Sequence, residues 1–121
     1  MEARLEEGIR LFNDGKFFES HVALEEFYHG TVAENKAFIE GLIGLAAAFR
    51  LFCDFRESKG TVRMIYQALI RLENYQPAFL GIQVKELCQA AETWAKAAEA
   101  AGPAAPADIP KIRTRRFSLW S

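Results

Sequence analysis

His21 and Glu25 lie four residues apart in a stretch, residues 17–29, whose spacing reads as a helix. That spacing brings two side chains together on one helix face. A histidine next to a carboxylate has two uses. The carboxylate can orient and tune the imidazole for proton transfer or metal binding. Alternatively, the two groups satisfy each other inside a packed face, where an orphaned polar group is costly. By spacing, Phe17, Phe18, Leu24 and Tyr28 share the broad face that carries the pair. The leading expectation is therefore a coupled, mostly structural pair on an otherwise apolar face. Glu40 interrupts a strongly apolar helix further along, so it either reaches the surface or joins this candidate polar network as a third member. Arg50 interrupts the same helix ten residues later and can reach water along its stem.

Other arrangements carry less chemistry. Glu26 and His29 have the E-x-x-H spacing of di-iron bundles, which need two such motifs and two further glutamates. The chain has only two histidines, so the match reads as coincidence. His29 fits better at a helix end, where a histidine favours the negative pole of the dipole. Cys53 and Cys88 form no C-x-x-C pattern and neither has an adjacent histidine. There is no G-x-S-x-G elbow and no glycine-rich phosphate loop. No catalytic, cofactor-binding or metal-ligating residue is assigned, and no cofactor is expected.

The elements that must position these residues follow from apolar periodicity. Five helices are predicted, over residues 2–12, 17–29, 33–54, 61–74 and 82–101. Asn13, Asp14 and Gly15 end the first, since Asn and Gly tolerate a left-handed helix cap. The third is apolar nearly all round, with Phe38, Ile39, Leu42, Ile43, Leu45, Phe49, Leu51 and Phe52, so it is the expected buried centre. Gly41 and Gly44 would let neighbours approach it closely. Residues 55–60 read as a polar joint, and Tyr75, Gln76 and Pro77 as a break. No strand-like alternation of useful length appears.

These elements make an all-α fold, a compact bundle of about five helices around a buried central one. Two parts are expected: a helical bundle over residues 1–101, and a Pro/Ala-rich connector with a basic-aromatic tail over residues 102–121. Pro103, Pro106 and Pro110 preclude continuous helix there. The second part is expected to be an appendage rather than core, with Phe117 and Trp120 free to dock on the bundle or on another copy. Its Lys111, Arg113, Arg115 and Arg116 read as a solvated charge run.

Composition excludes some function classes. Fifteen Lys and Arg nearly balance sixteen Asp and Glu, which argues against a general nucleic-acid or membrane binder. The longest uncharged apolar run, between Glu40 and Arg50, is about half of what a membrane span needs. The first residues lack an apolar signal core. With only two cysteines, a reducing cytoplasm is the expected location.

The stretch FNDGKFFESHVALEE, residues 12–26, resembles the signature of a family of small prokaryotic helical proteins, domain of unknown function family 309. FIEGLIGLAAAFRLF is similar to that family's central helix, and YQPAFLGIQVKEL to a later segment, in the same order. Two departures stand out. Phe27 and Tyr28 occupy the place where the family usually has Trp. The end of the central helix, AFRLFCDFRESKG, lacks the family's frequent second His and Gly-Asn turn. The resemblance implies an all-helical cytoplasmic protein and no particular activity.

The leading function is a non-catalytic helical binding or interaction domain with an unknown protein or small-molecule partner. The alternative is a small metal-dependent or acid–base enzyme using His21 and Glu25, with Glu40 as a further member. No nucleic acid and no membrane are expected, and a homo-oligomer is compatible with the sequence.

Overall fold

The structure, a computed structural model, describes residues 1–115. It is all-α, with helices α1 (Ala3–Asn13), α2 (Phe17–Gly30), α3 (Ala33–Phe55), α4 (Ser58–Leu72) and α5 (Val84–Ala101). Each helix packs on the next in sequence, and α3 carries the heaviest packing, between α2 and α4.

Local chemistry sets the boundaries. The Glu2 carboxylate accepts hydrogen bonds from the Arg4 and Leu5 amides at 2.8 and 3.2 Å, capping the free donors of the first turn. Gly15, at φ +80°, turns the chain from α1 into α2. The polar joint expected over residues 55–60 shrinks to Arg56 and Glu57. Arg56 is left-handed at φ 52° and the Glu57 carboxylate caps the Gly60 amide, so α4 begins a turn earlier than its apolar spacing suggested. At α5 the shift is opposite. Ile82 pairs as an isolated bridge with Phe79 and Thr114, and the helix starts at Val84.

The core centres on α3. Phe38, Ile39, Leu42, Leu45, Ala46, Ala48, Phe49 and Phe52 are buried. Each fully buried large side chain contributes about 1.5–3 kcal/mol of apolar transfer. Phe49 meets the Phe12 and Trp94 rings edge-on at 6.0 and 5.1 Å, which ties α1 and α5 to α3. Close approach depends on the glycines. A Cβ on Gly41 would sit 2.7 Å from Leu72, and one on Gly44 would sit 3.3 Å from the Ala68 methyl. Between α1 and α2, a Cβ on Gly8 would sit 2.7 Å from Leu24, and Ser20 Oγ donates to the Gly8 carbonyl at 2.7 Å.

The chain after Gly102 is not an appendage as far as residue 115. Prolines do keep it from continuous helix, but Ala105 and Ile112 are buried in the same core as the helices. Asn13 is one reason. Its side-chain oxygen accepts from the Ile112 amide at 2.7 Å, and its side-chain nitrogen donates to the Ile112 carbonyl at 2.9 Å. An Asn amide thus pairs with extended backbone as a neighbouring strand would. The Gln83 amide donates to the Arg113 carbonyl at 2.8 Å, and Trp94 Nε1 to the Pro106 carbonyl at 3.1 Å. Of the basic run, Lys111 donates to the Asn13 carbonyl at 3.0 Å, while Arg113 and Arg115 are exposed. Arg116, Phe117, Leu119 and Trp120 lie outside the described residues.

Candidate functional site

Helix α2 is rotated by about one residue, roughly 100°, from the orientation that its apolar residues suggested. Phe17, Ser20, Ala23, Leu24 and Phe27 face the core. Phe18 is instead 52% exposed and Val22 40% exposed. Two doublets, Phe17-Phe18 and Phe27-Tyr28, made two orientations plausible on spacing alone. In the orientation adopted, Leu24 lies close against Gly8 and the Ser20 hydroxyl donates to the Gly8 carbonyl.

The rotation carries His21 and Glu25 outward. They meet as four-residue spacing requires, with Nε2 to Oε1 at 3.2 Å. The side chains are 30% and 52% exposed, so the expectation of an apolar, packed setting for this pair is corrected. Both groups have access to water, and neither would be orphaned by loss of the other.

Glu40 does not complete a triad with them. It projects from the outer side of α3 and joins two other helices. Tyr28 of α2 donates its hydroxyl to one Glu40 oxygen at 2.9 Å, and Arg71 of α4 lies 3.3 Å from the other. Accepting that bond favours the protonated phenol, so the Tyr28 hydroxyl is held above the usual tyrosine range by the Glu40 hydrogen bond, with desolvation second. Lys36 lies over the Tyr28 ring at 4.7 Å. Sequence reasoning missed Arg71 altogether, and no spacing signal could have found it, because its meeting with Glu40 depends on how α4 lies against α3.

The outer surfaces of α2 and α3 therefore form one continuous strip. At one end is a shallow hollow of about 230 Å³ lined by Glu25, Tyr28, His29, Glu40 and Ile43. At the other, the Arg50 guanidinium stacks on the Phe18 ring at 4.6 Å and pairs with Asp54 at 3.4 Å. His29 lies exposed in the last turn of α2, with its ring edge-on to Tyr28 at 5.4 Å. Glu26 is exposed outside that hollow. Among the described residues, no three His, Cys, Asp or Glu side chains converge as metal ligands would. The two thiols are both pushed up, mainly by desolvation: Cys53 in an exposed position near the end of α3, Cys88 in the core.

A larger hollow lies elsewhere, about 760 Å³ between α5 and the returning chain, with Trp94 and Ile109 on its walls. Glu86 and Asp108 oppose Lys111 and Arg113 around it, so its rim favours neither sign of ligand. The Trp94 N–H is already bonded to Pro106.

Fold and site together define an all-α domain with an interlocked interior and an open, mixed polar and apolar strip along α2 and α3. The model of the family of domains of unknown function DUF309 matches residues 5–64 of the chain. The match spans most of α1, all of α2 and α3, and the start of α4, so it includes the whole strip. The family description assigns no activity. No curated protein and no solved structure matches the chain. Among the described residues, no helix is long and apolar enough to cross a membrane.

Proposed function

We propose that this chain is a helical interaction domain and that its binding surface is the outer strip of α2 and α3. One observation carries the reading. Phe18 and Val22, one helical turn apart, are left exposed on a helix whose opposite side is fully committed to the core. Scattered exposed apolar residues are ordinary. Here the neighbouring α3 carries the half-buried Ile43 and Ala47, Arg50 lies on the Phe18 ring, and His21, Glu25 and Glu40 are partly exposed on the same two helices. Protein interfaces mix apolar and polar area in this way. The hollows on the strip, about 230 Å³ beside Glu25 and about 360 Å³ beside Phe18 and Arg50, lie below or at the low end of the roughly 300–1,000 Å³ of small-molecule pockets.

The test is site-specific photo-crosslinking in the cells that make the protein. A crosslinking residue replaces Val22 in one variant and Ile70 in another. Ile70, on α4, is 65% exposed and serves as the control for exposure alone. A discrete adduct from position 22 without its counterpart from position 70 supports the reading. No adduct from position 22, or equal adducts from both, would overturn it.

A further inference from the structure

The outer side of α3 carries, in order, Lys36, Glu40, Ile43, Ala47, Arg50 and Asp54. Steps of three and four residues keep them in one stripe, roughly 27 Å long at 1.5 Å per residue. Read from its other end, the stripe inverts every sign. Positions equally far from residue 45 are complementary: Ile43 with Ala47, Glu40 with Arg50, Lys36 with Asp54. A two-fold axis crossing α3 at residue 45 would lay two copies antiparallel, with each charge against its opposite and the apolar pair in the middle. Parallel stacking would put like charges together, which is costly.

Helix α2 gives a second match through the same axis. Phe18 lies on Arg50, and Tyr28 bonds Glu40. These two contacts place residue 23 of α2 level with residue 45 of α3. The axis therefore pairs α2 positions equally far from residue 23: His21 with Glu25, and Phe18 with Tyr28. Both are favourable combinations, one an imidazole with a carboxylate and the other a pair of aromatic rings. On α4, the Gly44–Ala68 contact puts the exposed, uncharged Gln67 close to the same level.

We infer that the occupant of the outer strip is a second copy of this chain, bound antiparallel about a two-fold axis at residue 45. The inference rests on the reading that this strip is the binding surface. A two-fold contact uses one patch on both partners, so the patch must be self-complementary. The charges of α3 and the His21–Glu25 and Phe18–Tyr28 positions of α2 meet that condition with one axis.

The experiment is sedimentation velocity on the full chain from about 1 to about 200 µM, the range in which a homodimer of modest affinity populates both states. The wild-type chain should shift from monomer to dimer with concentration. Glu40→Arg alone and Arg50→Glu alone each create two like-charge pairs across the axis, and each should weaken association by about tenfold or more. An equimolar mixture of the two variants should associate again, because the two arginines of one then face the two glutamates of the other. That rescue also shows that both variants fold. A wild-type chain that stays monomeric throughout would overturn the inference. So would single variants that dimerise undiminished, or a mixture no more associated than its components. A monomeric chain whose position-22 crosslinker captures a different protein would remove self-pairing and keep the strip as a binding surface. A monomeric chain with no adduct would remove both.

Discussion

On the inner side of α3, Gly41 lies against Leu72, Gly44 against Ala68, and Phe49 against Phe12 and Trp94. On its outer side, Glu40, Arg50 and Asp54 hold half-exposed contacts with Tyr28, Arg71, Phe18 and one another. The same helix is thus rigidly specified along one edge and open along the other. Helix α2 repeats the contrast, with Ser20, Leu24 and Phe27 inside and Phe18, Val22 and Glu25 outside. The difference sorts the residues that resemble the family signature. Phe12, Asn13, Gly15 and Phe17 are accounted for by folding. Glu19, His21 and Glu25 are not, since packing would tolerate other polar residues at their positions.

Substitutions can break this contrast from either side. The largest effect is expected on the inner edge. Gly41→Leu drives a side chain into Leu72, where even a Cβ would approach to 2.7 Å. It should destabilise by about 3 kcal/mol, the upper part of the usual overpacking range, read as a fall in the urea midpoint. An unchanged midpoint would mean that α3 and α4 are further apart than described. A smaller loss tests the seam between α1 and the returning chain. Asn13→Ala leaves the Ile112 amide and carbonyl without their partners at a residue only 1% exposed. That should cost about 1–2 kcal/mol, and hydrogen exchange at the Ile112 amide should quicken. Unaltered exchange there would detach the segment from the fold.

The inner edge was largely legible in the sequence. Continuous apolar character marked α3 as the centre, and Gly41 and Gly44 marked its close neighbours. The start of α4 was hidden because Glu57, Ser58, Lys59 and Gly60 look like a loop until the Glu57 carboxylate is seen capping the turn. The burial of Ile112 was hidden because its partner, Asn13, stands ninety-nine residues earlier. For the candidate site, the contact of His21 with Glu25 followed from spacing, since it is made within one helix. Whether that pair faced the core or water did not follow. The rotation adopted brings Ser20 and Leu24 against Gly8, a meeting between two helices that leaves no periodic trace. Glu40 stood out as a charge in an apolar helix, but its partners belong to α2 and α4 and depend on how three helices lie together.

The smallest effect is the most informative about the outer edge. If the His21–Glu25 pair were a buried network, each single alanine substitution would orphan a polar group, and the double variant would lose less than the sum. The structure leaves the two side chains 30% and 52% exposed at 3.2 Å, so water replaces whichever partner is removed. A pair of this kind one turn apart on a helix surface contributes only about 0.3–0.5 kcal/mol. His21→Ala and Glu25→Ala should therefore each shift the urea midpoint very little, and the coupling energy of the full cycle should stay below about 0.5 kcal/mol. The cycle is measured at low protein concentration, where association makes no contribution to stability. A coupling of 1–3 kcal/mol, the range for orphaned buried groups, would turn α2 back toward the orientation that its apolar spacing suggested. A near-zero coupling, together with intact α-helical signal, leaves the pair free of any duty to the fold of the isolated chain.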